Sequence, residues 1–138
     1  MKLPIFVISI FLLMTACSSN TETADKTVKK ASTEIAKAKQ LRHVVLFKFK
    51  EGTTAADIQK VEAAFTALPN KIPEIKGYEW GINNSPEGLE KGFTHCFFLT
   101  FDDEAGRAVY LPHPDHKAFG VVLTPYLDDV LVLDYWVK

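Results

Sequence analysis

Residues 41–138 are predicted to form a single α+β domain. Four short apolar segments are bounded by turn residues, and their side chains alternate between two faces with a period of two, as in strands. Two further segments repeat apolar residues every three or four positions after a capping side chain, which is typical of amphipathic helices. Prolines and glycines separate these segments, and the stretch is long enough to bury one hydrophobic core.

The first strand is predicted over residues 42–50, and a helix follows it. The side chains on one face of this strand are His43, Val45, Phe47 and Phe49. Thr53 or Thr54 can cap the helix, because a hydroxyl accepts a hydrogen bond from a free backbone N–H at the helix N-terminus. The helical spacing continues to about Leu68, and Pro69 then breaks it.

The remaining segments predict two strands, a helical region and a final strand. They are a strand over residues 77–82, a strand over residues 93–101, a helix capped by Asp102 or Asp103 that reaches Tyr110, a further helical turn to about Leu123, and a strand over residues 130–137. The resulting order is β-α-β-β-α-β, the ferredoxin-like arrangement of a four-stranded sheet with helices on one face.

The strands of the predicted sheet carry apolar residues on both faces. Val44 and Leu46 lie opposite Phe47 on the first strand, and Leu131 lies opposite Val132 on the last. The helices can cover only one face, so the other face would be an apolar surface in water. We therefore predict a homodimer that packs sheet against sheet and forms a dimeric α/β barrel.

The charge of the chain argues against one class of partner. Its net charge is −1, and residues 18–40 carry five lysines against three acidic residues. Residues 41–138 carry ten basic residues against fourteen acidic ones. A net acidic domain without a cluster of lysine and arginine is poorly suited to hold a phosphate backbone, so nucleic-acid binding is not expected.

Residues 1–16 are predicted to be a signal peptide. One lysine precedes the apolar run Ile5–Met14, whose length as a helix is about half of the hydrocarbon thickness of a bilayer. The sequence Leu-Met-Thr-Ala-Cys at residues 13–17 resembles a lipobox, in which small residues precede a cysteine that becomes lipidated. Cys17 is therefore the predicted lipidation site. The alternative is an ordinary secretory signal cleaved near Ala16.

Residues 17–40 are predicted to be a flexible tether between the lipid anchor and the domain. After Cys17 this stretch is rich in Ser, Thr, Ala and Lys and has no aromatic residue, so it can bury little surface. Several acyl chains on Cys17 would hold the chain stably in a membrane. Ser18 after the cysteine resembles the outer-membrane sorting pattern. We expect a cell-envelope location, at the outer membrane in a Gram-negative organism, with the domain outside the cytoplasm.

Several segments of the domain together resemble a known family. They are His43–Phe49, Tyr78–Gly81, Gly92–His95, Tyr110–His116 and Asp129–Tyr135, in this order and at this spacing. The set is similar to the stress-responsive α/β barrel (Dabb) domain over nearly all of residues 41–138. The resemblance implies a dimeric α+β barrel and does not assign an activity.

The resemblance also implies a candidate catalytic pair, Tyr110 and His116. In a plant polyketide cyclase of the family, a tyrosine and a histidine in the equivalent segment act on a poly-β-keto chain. By position, His116 would be the general base, because imidazole titrates near neutral pH, and Tyr110 would donate a hydrogen bond to the developing enolate oxygen. The alternative is structural, because Pro114 and Asp115 suit the first turn of a helix and His116 would then anchor that turn to the sheet.

The predicted ligand pocket lies between the helices and the sheet. Its candidate residues are His43, Phe47, Trp80, His95 and His113. Histidines on apolar faces are more often hydrogen-bonded core residues than ligands, and aromatic residues are more often core. No histidine pair has the spacing that places metal ligands on one face of a helix, so we expect no transition metal and no cofactor.

The sequence leaves four functions open, of which we favour the first. The first is a dimeric, envelope-anchored module that binds a small apolar ligand. The second is a cyclase-like or lyase-like enzyme that uses His116 and Tyr110. The third is a protein like the quinol- or haem-directed monooxygenases, which share the dimeric ferredoxin-like architecture. The fourth is a non-catalytic stress protein.

Overall fold

The computed structural model describes residues 40–138. Its elements are, in chain order, β1 (Leu41–Phe49), α1 (Ala55–Thr66), a 3-10 turn (Leu68–Asn70), β2 (Gly77–Ile82), β3 (His95–Phe101), α2 (Glu104–Tyr110), α3 (Pro114–Leu123) and β4 (Leu127–Trp136). The predicted signal peptide, the lipidation site Cys17 and the tether up to residue 39 lie outside the described residues. Within residues 40–138, no helix has both the length and the hydrophobicity needed to cross a bilayer.

The four strands form one antiparallel sheet in the order β2-β3-β1-β4. β1 is a central strand, so that His43 lies opposite Leu99 of β3 on one side and opposite Asp134 of β4 on the other. This topology, with the element order β-α-β-β-α-β, confirms the predicted ferredoxin-like α+β fold.

Two of the helices begin at the predicted capping residues. Thr54 accepts a hydrogen bond of 3.2 Å from the backbone N–H three residues ahead, and Asp103 accepts an equivalent bond of 2.9 Å. α1 ends at Thr66, slightly earlier than predicted, and the chain continues as the 3-10 turn. The reason is that Pro69 has no backbone N–H to donate to the carbonyl of Phe65.

Two strand boundaries differ from the sequence prediction. β3 begins later than predicted, at His95, because the N–H of Phe93 still closes the preceding turn on the carbonyl of Glu90. β4 begins earlier than predicted, at Leu127, because its pairing with β1 continues through a register shift. Two acidic residues, Asp128 and Asp129, interrupt the apolar alternation and conceal this extension in the sequence.

The helices pack on one face of the sheet and enclose the hydrophobic core. The largest fully buried side chains include Phe47, Phe65, Phe97, Phe101 and Tyr110. Phe65 of α1 stacks on Phe97 of β3 with 4.2 Å between the ring centroids, which joins the first helix to the sheet. Full burial of a large apolar side chain stabilises a fold by roughly 1.5–3 kcal/mol.

Among residues 40–138, no helix lies over the other face of the sheet. On this face, Leu131 of β4 is 41% exposed and Leu133 is 51% exposed. The side of β4 that faces the helical layer is also open, since Val130 is 43% exposed and Val132 is 45% exposed. An apolar strand that is this exposed on both faces indicates a surface that another molecule covers.

Candidate functional site

A cavity of about 520 Å³ lies between the helical layer and strands β1 and β4. Its apolar wall includes Val45, Phe47, Phe119, Leu123, Val130 and Val132. Its polar residues are His43, Tyr110, His116, Lys117 and Asp134. Of the site residues predicted from the sequence, the structure brings His43, Phe47, Tyr110 and His116 together at this cavity.

The turn between α2 and α3 places Tyr110 beside His116. Tyr110 ends α2, and its carbonyl accepts a hydrogen bond of 3.1 Å from the N–H of His113. His113 then caps α3, because its Nδ1 accepts a hydrogen bond of 3.2 Å from the N–H of Asp115, with Pro114 at the first helical position. As a result, the rings of Tyr110 and His116 lie 4.3 Å apart between their centroids.

One hydrogen bond fixes which nitrogen of His116 is free. The Nδ1 of His116 lies 3.0 Å from the carbonyl oxygen of Leu111. A carbonyl oxygen can only accept, so Nδ1 carries the hydrogen and donates it. In the neutral ring, Nε2 then keeps its lone pair and can accept a hydrogen bond or a proton. This is the tautomer that a general base in the cavity requires.

Tyr110 is held as a neutral hydrogen-bond donor. Its side chain is fully buried, and this burial raises the pKa of its hydroxyl well above the ordinary value, because the phenolate would lose its hydration. The ring also packs at 5.3 Å from Phe101 and at 5.7 Å from His43, measured between centroids. Its orientation is therefore set by the core rather than by solvent.

His43 and Asp134 form a second polar pair at the cavity. The Nδ1 of His43 lies 2.9 Å from Oδ1 of Asp134, and Nη1 of Arg107 lies 3.1 Å from the same oxygen. Burial lowers the pKa of His43, and the hydrogen bond to Asp134 only partly offsets this effect. Burial opposes ionisation of Asp134, but the hydrogen bonds from His43 and Arg107 outweigh it and lower the pKa of Asp134.

Three of the predicted pocket residues lie outside this cavity. His95 is buried beneath α1, where its Nε2 lies 3.0 Å from Oε1 of Glu62 and its Nδ1 lies 2.8 Å from the hydroxyl of Thr94. Trp80 lies beside an open surface groove next to α1 and stacks near His95, with 6.3 Å between centroids. His113 is the cap of α3. Ligand contact by these residues stays a prediction.

The sequence prediction did not include Asp134 and Arg107. Asp134 is an acidic residue between apolar neighbours in a strand, on the side that faces the helices, and this pattern indicates a charge with a partner. Its pairing with His43 depends on the register of β1 and β4. Arg107 lies one helical turn before Tyr110, and the sequence gives no sign of which strand it contacts.

The described residues offer no side-chain site for a metal ion. Among residues 40–138, no group of three or more His, Cys, Asp and Glu side chains is placed to share one ion. Cys96 is a free thiol on a different face of β3 from His95, and burial raises its pKa, which disfavours the nucleophilic thiolate. The titratable side chains that line the cavity are His43, Tyr110, His116, Lys117 and Asp134.

Two curated plant proteins are similar to the chain over the whole domain. The stress-response A/B barrel domain-containing protein HS1 of Arabidopsis thaliana is 37% identical over 95 residues, which cover 69% of this chain and 87% of HS1. Olivetolic acid cyclase of Cannabis sativa is 30% identical over 95 residues, which cover 69% of this chain and 94% of the cyclase.

Two solved structures are similar to the fold. Hydroxynitrile lyase from Passiflora edulis superposes with a TM-score of 0.68 and 27% identity, covering 73% of this chain and 95% of the lyase. A dimeric ferredoxin-like protein of unknown function from Thermobifida fusca superposes with a TM-score of 0.61 and 30% identity, covering 72% of this chain and 92% of that protein. The sequence profile of the stress-responsive A/B barrel domain matches residues 41–137. The chain therefore belongs to the stress-responsive A/B barrel (Dabb) domain family, as its sequence motifs predicted.

Proposed function

We propose that the chain is an envelope-anchored lipoprotein whose domain binds a small, largely apolar molecule with a carbonyl group. The observation that carries this proposal is the cavity, whose wall is mostly apolar and whose polar end joins His43, Tyr110 and His116. Its volume of about 520 Å³ lies in the range of small-molecule pockets. The hydroxyl of Tyr110 would donate a hydrogen bond to the carbonyl oxygen, and the aliphatic wall would hold the apolar part.

Proton transfer in the same cavity is the second candidate function. The hydrogen bond from His116 to the Leu111 carbonyl favours it, because Nε2 is then left as the base. For a β-dicarbonyl compound, Nε2 would take the proton from the carbon between the carbonyls. The electrons of that C–H bond would move to the carbonyl oxygen, where Tyr110 stabilises the enolate. The similarity to a cyclase and a lyase supports this candidate.

A homodimer is part of the proposal. It would bury the exposed apolar residues of the uncovered sheet face, such as Leu131 and Leu133. Similar proteins from Bacteroides fragilis and Thermobifida fusca are described as dimeric. Leu133→Asp should give a folded monomer in sedimentation at micromolar strength. The control Val121→Asp, at an exposed position on α3, should stay a dimer. A wild-type chain that sediments as a folded monomer would contradict this part.

Anchoring rests on the lipobox-like sequence before Cys17. In cells given a labelled fatty acid, the wild-type chain should carry the label and fractionate with membranes. Cys17→Ala should lose the label and stay uncleaved, because cleavage of such precursors follows lipidation. Cleavage of Cys17→Ala at the wild-type rate would instead support an ordinary secretory signal.

The binding proposal is tested by native mass spectrometry and by titration with hexanoylacetone, a β-diketone that has an apolar tail. We expect a retained small molecule or saturable binding of the diketone.

Catalysis is tested by NMR detection of deuterium exchange at the central carbon of the diketone. Binding that is unchanged in His116→Ala, without accelerated exchange, supports the binding module alone. Haem-dependent absorbance would favour the monooxygenase-like alternative. A chain that retains no small molecule and binds neither the diketone nor haem would favour the non-catalytic stress protein.

A further inference from the structure

We propose that Arg107 is a positioning residue for the cavity, which acts through Asp134 to keep His43 as a neutral hydrogen-bond acceptor. This inference rests on the proposed ligand-binding function and deepens it, because it defines what a ligand must offer. Three elements meet at this point, since Arg107 belongs to α2, Asp134 to β4 and His43 to β1.

Arg107 and His43 contact the same carboxylate oxygen of Asp134. Oδ1 of Asp134 receives Nη1 of Arg107 at 3.1 Å and Nδ1 of His43 at 2.9 Å. His43 and Asp134 are direct cross-strand partners, so the sheet register sets their spacing. Asp134 accepts only, and Nδ1 of His43 must therefore carry the hydrogen. Nε2 of a neutral His43 is then the nitrogen left for a ligand.

Arg107 is needed because Asp134 is not held by burial alone. The side chain of Asp134 is 32% exposed on the edge strand, whereas that of His43 is 6% exposed. Without Arg107, the charge of this carboxylate would act on His43 with no guanidinium to offset it, and it would favour the imidazolium form of the ring. Arg107 lies one helical turn before Tyr110 on the same helix, so the ion pair also ties the helix of Tyr110 to β4.

The charges around His43 decide whether it is neutral or protonated. Asp134 faces it from β4, Arg107 from α2 and His116 from α3, while the neutral hydroxyl of Tyr110 ends α2. A histidine paired with a carboxylate alone tends to become imidazolium. Burial of His43 is the largest cause that disfavours its charged form, and the nearby His116 and the Arg107 guanidinium act in the same direction against the carboxylate.

This arrangement specifies a class of ligand. The cavity would present two imidazole acceptors, on His43 and His116, and one phenol donor on Tyr110. The complementary ligand has a carbonyl oxygen, together with two acidic hydrogens that a hydroxyl, an enol or an activated carbon supplies, and an apolar tail. A simple fatty acid or hydrocarbon has no group for the second imidazole.

The test is nitrogen-15 NMR of the histidine rings in the full chain, purified in detergent without added ligand. In the wild type, His43 should show a protonated Nδ1 and a lone pair on Nε2. Arg107→Leu should raise the pKa of His43, because the charge of Asp134 is then no longer offset, and Arg107→Lys should restore most of the wild-type pattern. Asp134→Asn should lower the pKa of His43 instead, because the anion is lost. Lys60→Met removes an ion pair on α1 and should change nothing at His43.

Opposite shifts in Arg107→Leu and Asp134→Asn would not follow from a general loosening of the fold. A His43 titration that is the same in Arg107→Leu as in the wild type would overturn the inference. Because these spectra are taken without ligand, the outcome is separate from the binding test. A cavity that binds no carbonyl compound would contradict the proposed function, even if the predicted changes in the His43 pKa are observed.

Discussion

The domain contains two buried histidines on the same face of one sheet, each paired with a carboxylate, and they differ in whether a ring nitrogen is left for a ligand. As whole residues, His43 is 4% exposed and His95 is 5% exposed, so burial does not distinguish them. His95 uses both ring nitrogens, one on Glu62 and one on Thr94. His43 uses one nitrogen on Asp134, and its ring borders the cavity.

The comparison teaches that hydrogen-bond saturation is a better sign of a ligand site than burial or residue type. His95 has no free nitrogen for a ligand, and Phe49 packs edge-on against its ring at 5.1 Å. His116, like His43, uses one nitrogen inside the protein and keeps the other. We therefore expect changes at His43 and His116 to affect chemistry, and changes at His95 to affect stability.

The largest expected effect is on proton exchange. His116→Ala should slow deuterium exchange into hexanoylacetone by about a hundredfold or more, because it removes the general base. Tyr110→Phe should slow it as well, since the enolate loses its hydrogen-bond donor. His95→Gln serves as the comparison and should exchange at nearly the wild-type rate. Equal losses in His116→Ala and His95→Gln would remove the distinction between the two regions.

The second-largest effect is on the free energy of unfolding, and here the change at His95 should matter more than the change at His116. His95→Ala leaves Glu62 and Thr94 without their partner and should lower this free energy by roughly 1–3 kcal/mol. His116→Ala should cost less, because the ring lies at the cavity and its bond to the Leu111 carbonyl can be replaced by water. Urea unfolding followed by circular dichroism measures both. A His116→Ala variant that is the less stable of the two would contradict the assignment.

A smaller effect is expected on ligand affinity. Val132→Ala shortens a side chain of the cavity wall and should weaken binding of hexanoylacetone several-fold, since each buried CH₂ contributes about 0.8 kcal/mol. Trp80→Phe, at the groove beside α1, should leave this affinity unchanged. Calorimetric titration of both variants separates the two regions. Weaker binding in Trp80→Phe alone would indicate that the ligand binds in the groove beside α1 and not in the cavity.

The smallest effect is on the pH dependence of stability. The pKa of His43 is lowered by folding from its ordinary value of 6.5, so the stabilisation is complete above that value and is lost as the pH falls toward the folded pKa. The lowered pKa of Asp134 acts in the same direction at more acidic pH. Stability should therefore decline below about pH 6.5, and less so in His43→Gln. An equal decline in both proteins would assign the pH dependence to other groups.

The fold could be predicted from the sequence because its signals are local. Alternation in the strands, caps at Thr54 and Asp103 and the breaks at proline are all read from neighbouring residues. The first and last strands also show that apolar residues lie on both faces. The ends of β3 and β4 were less accurate, because pairing between strands rather than local pattern determines them.

The site could be predicted only in part, because its geometry is not local. The link between Tyr110 and His116 came from family resemblance, and two prolines in the intervening turn prevented any inference from helical spacing. His43 and His95 were grouped together, but the register puts His95 opposite Phe47, about 13 Å along β1 from His43. The places of Asp134 and Arg107 in the site depend on the pairing of β4 with β1 and on the packing of α2, which the sequence does not show.

The most direct test of the cavity is to map hexanoylacetone on the chain by NMR. At saturating diketone, the largest shift changes should fall on His43, Tyr110 and His116 and on the aliphatic wall around Val132. His95 and Trp80 should hardly change. Saturable binding with this distribution is the result that we expect. An absence of binding, or shifts centred on Trp80 and His95, would contradict the claim that the cavity between helices and sheet is the functional site.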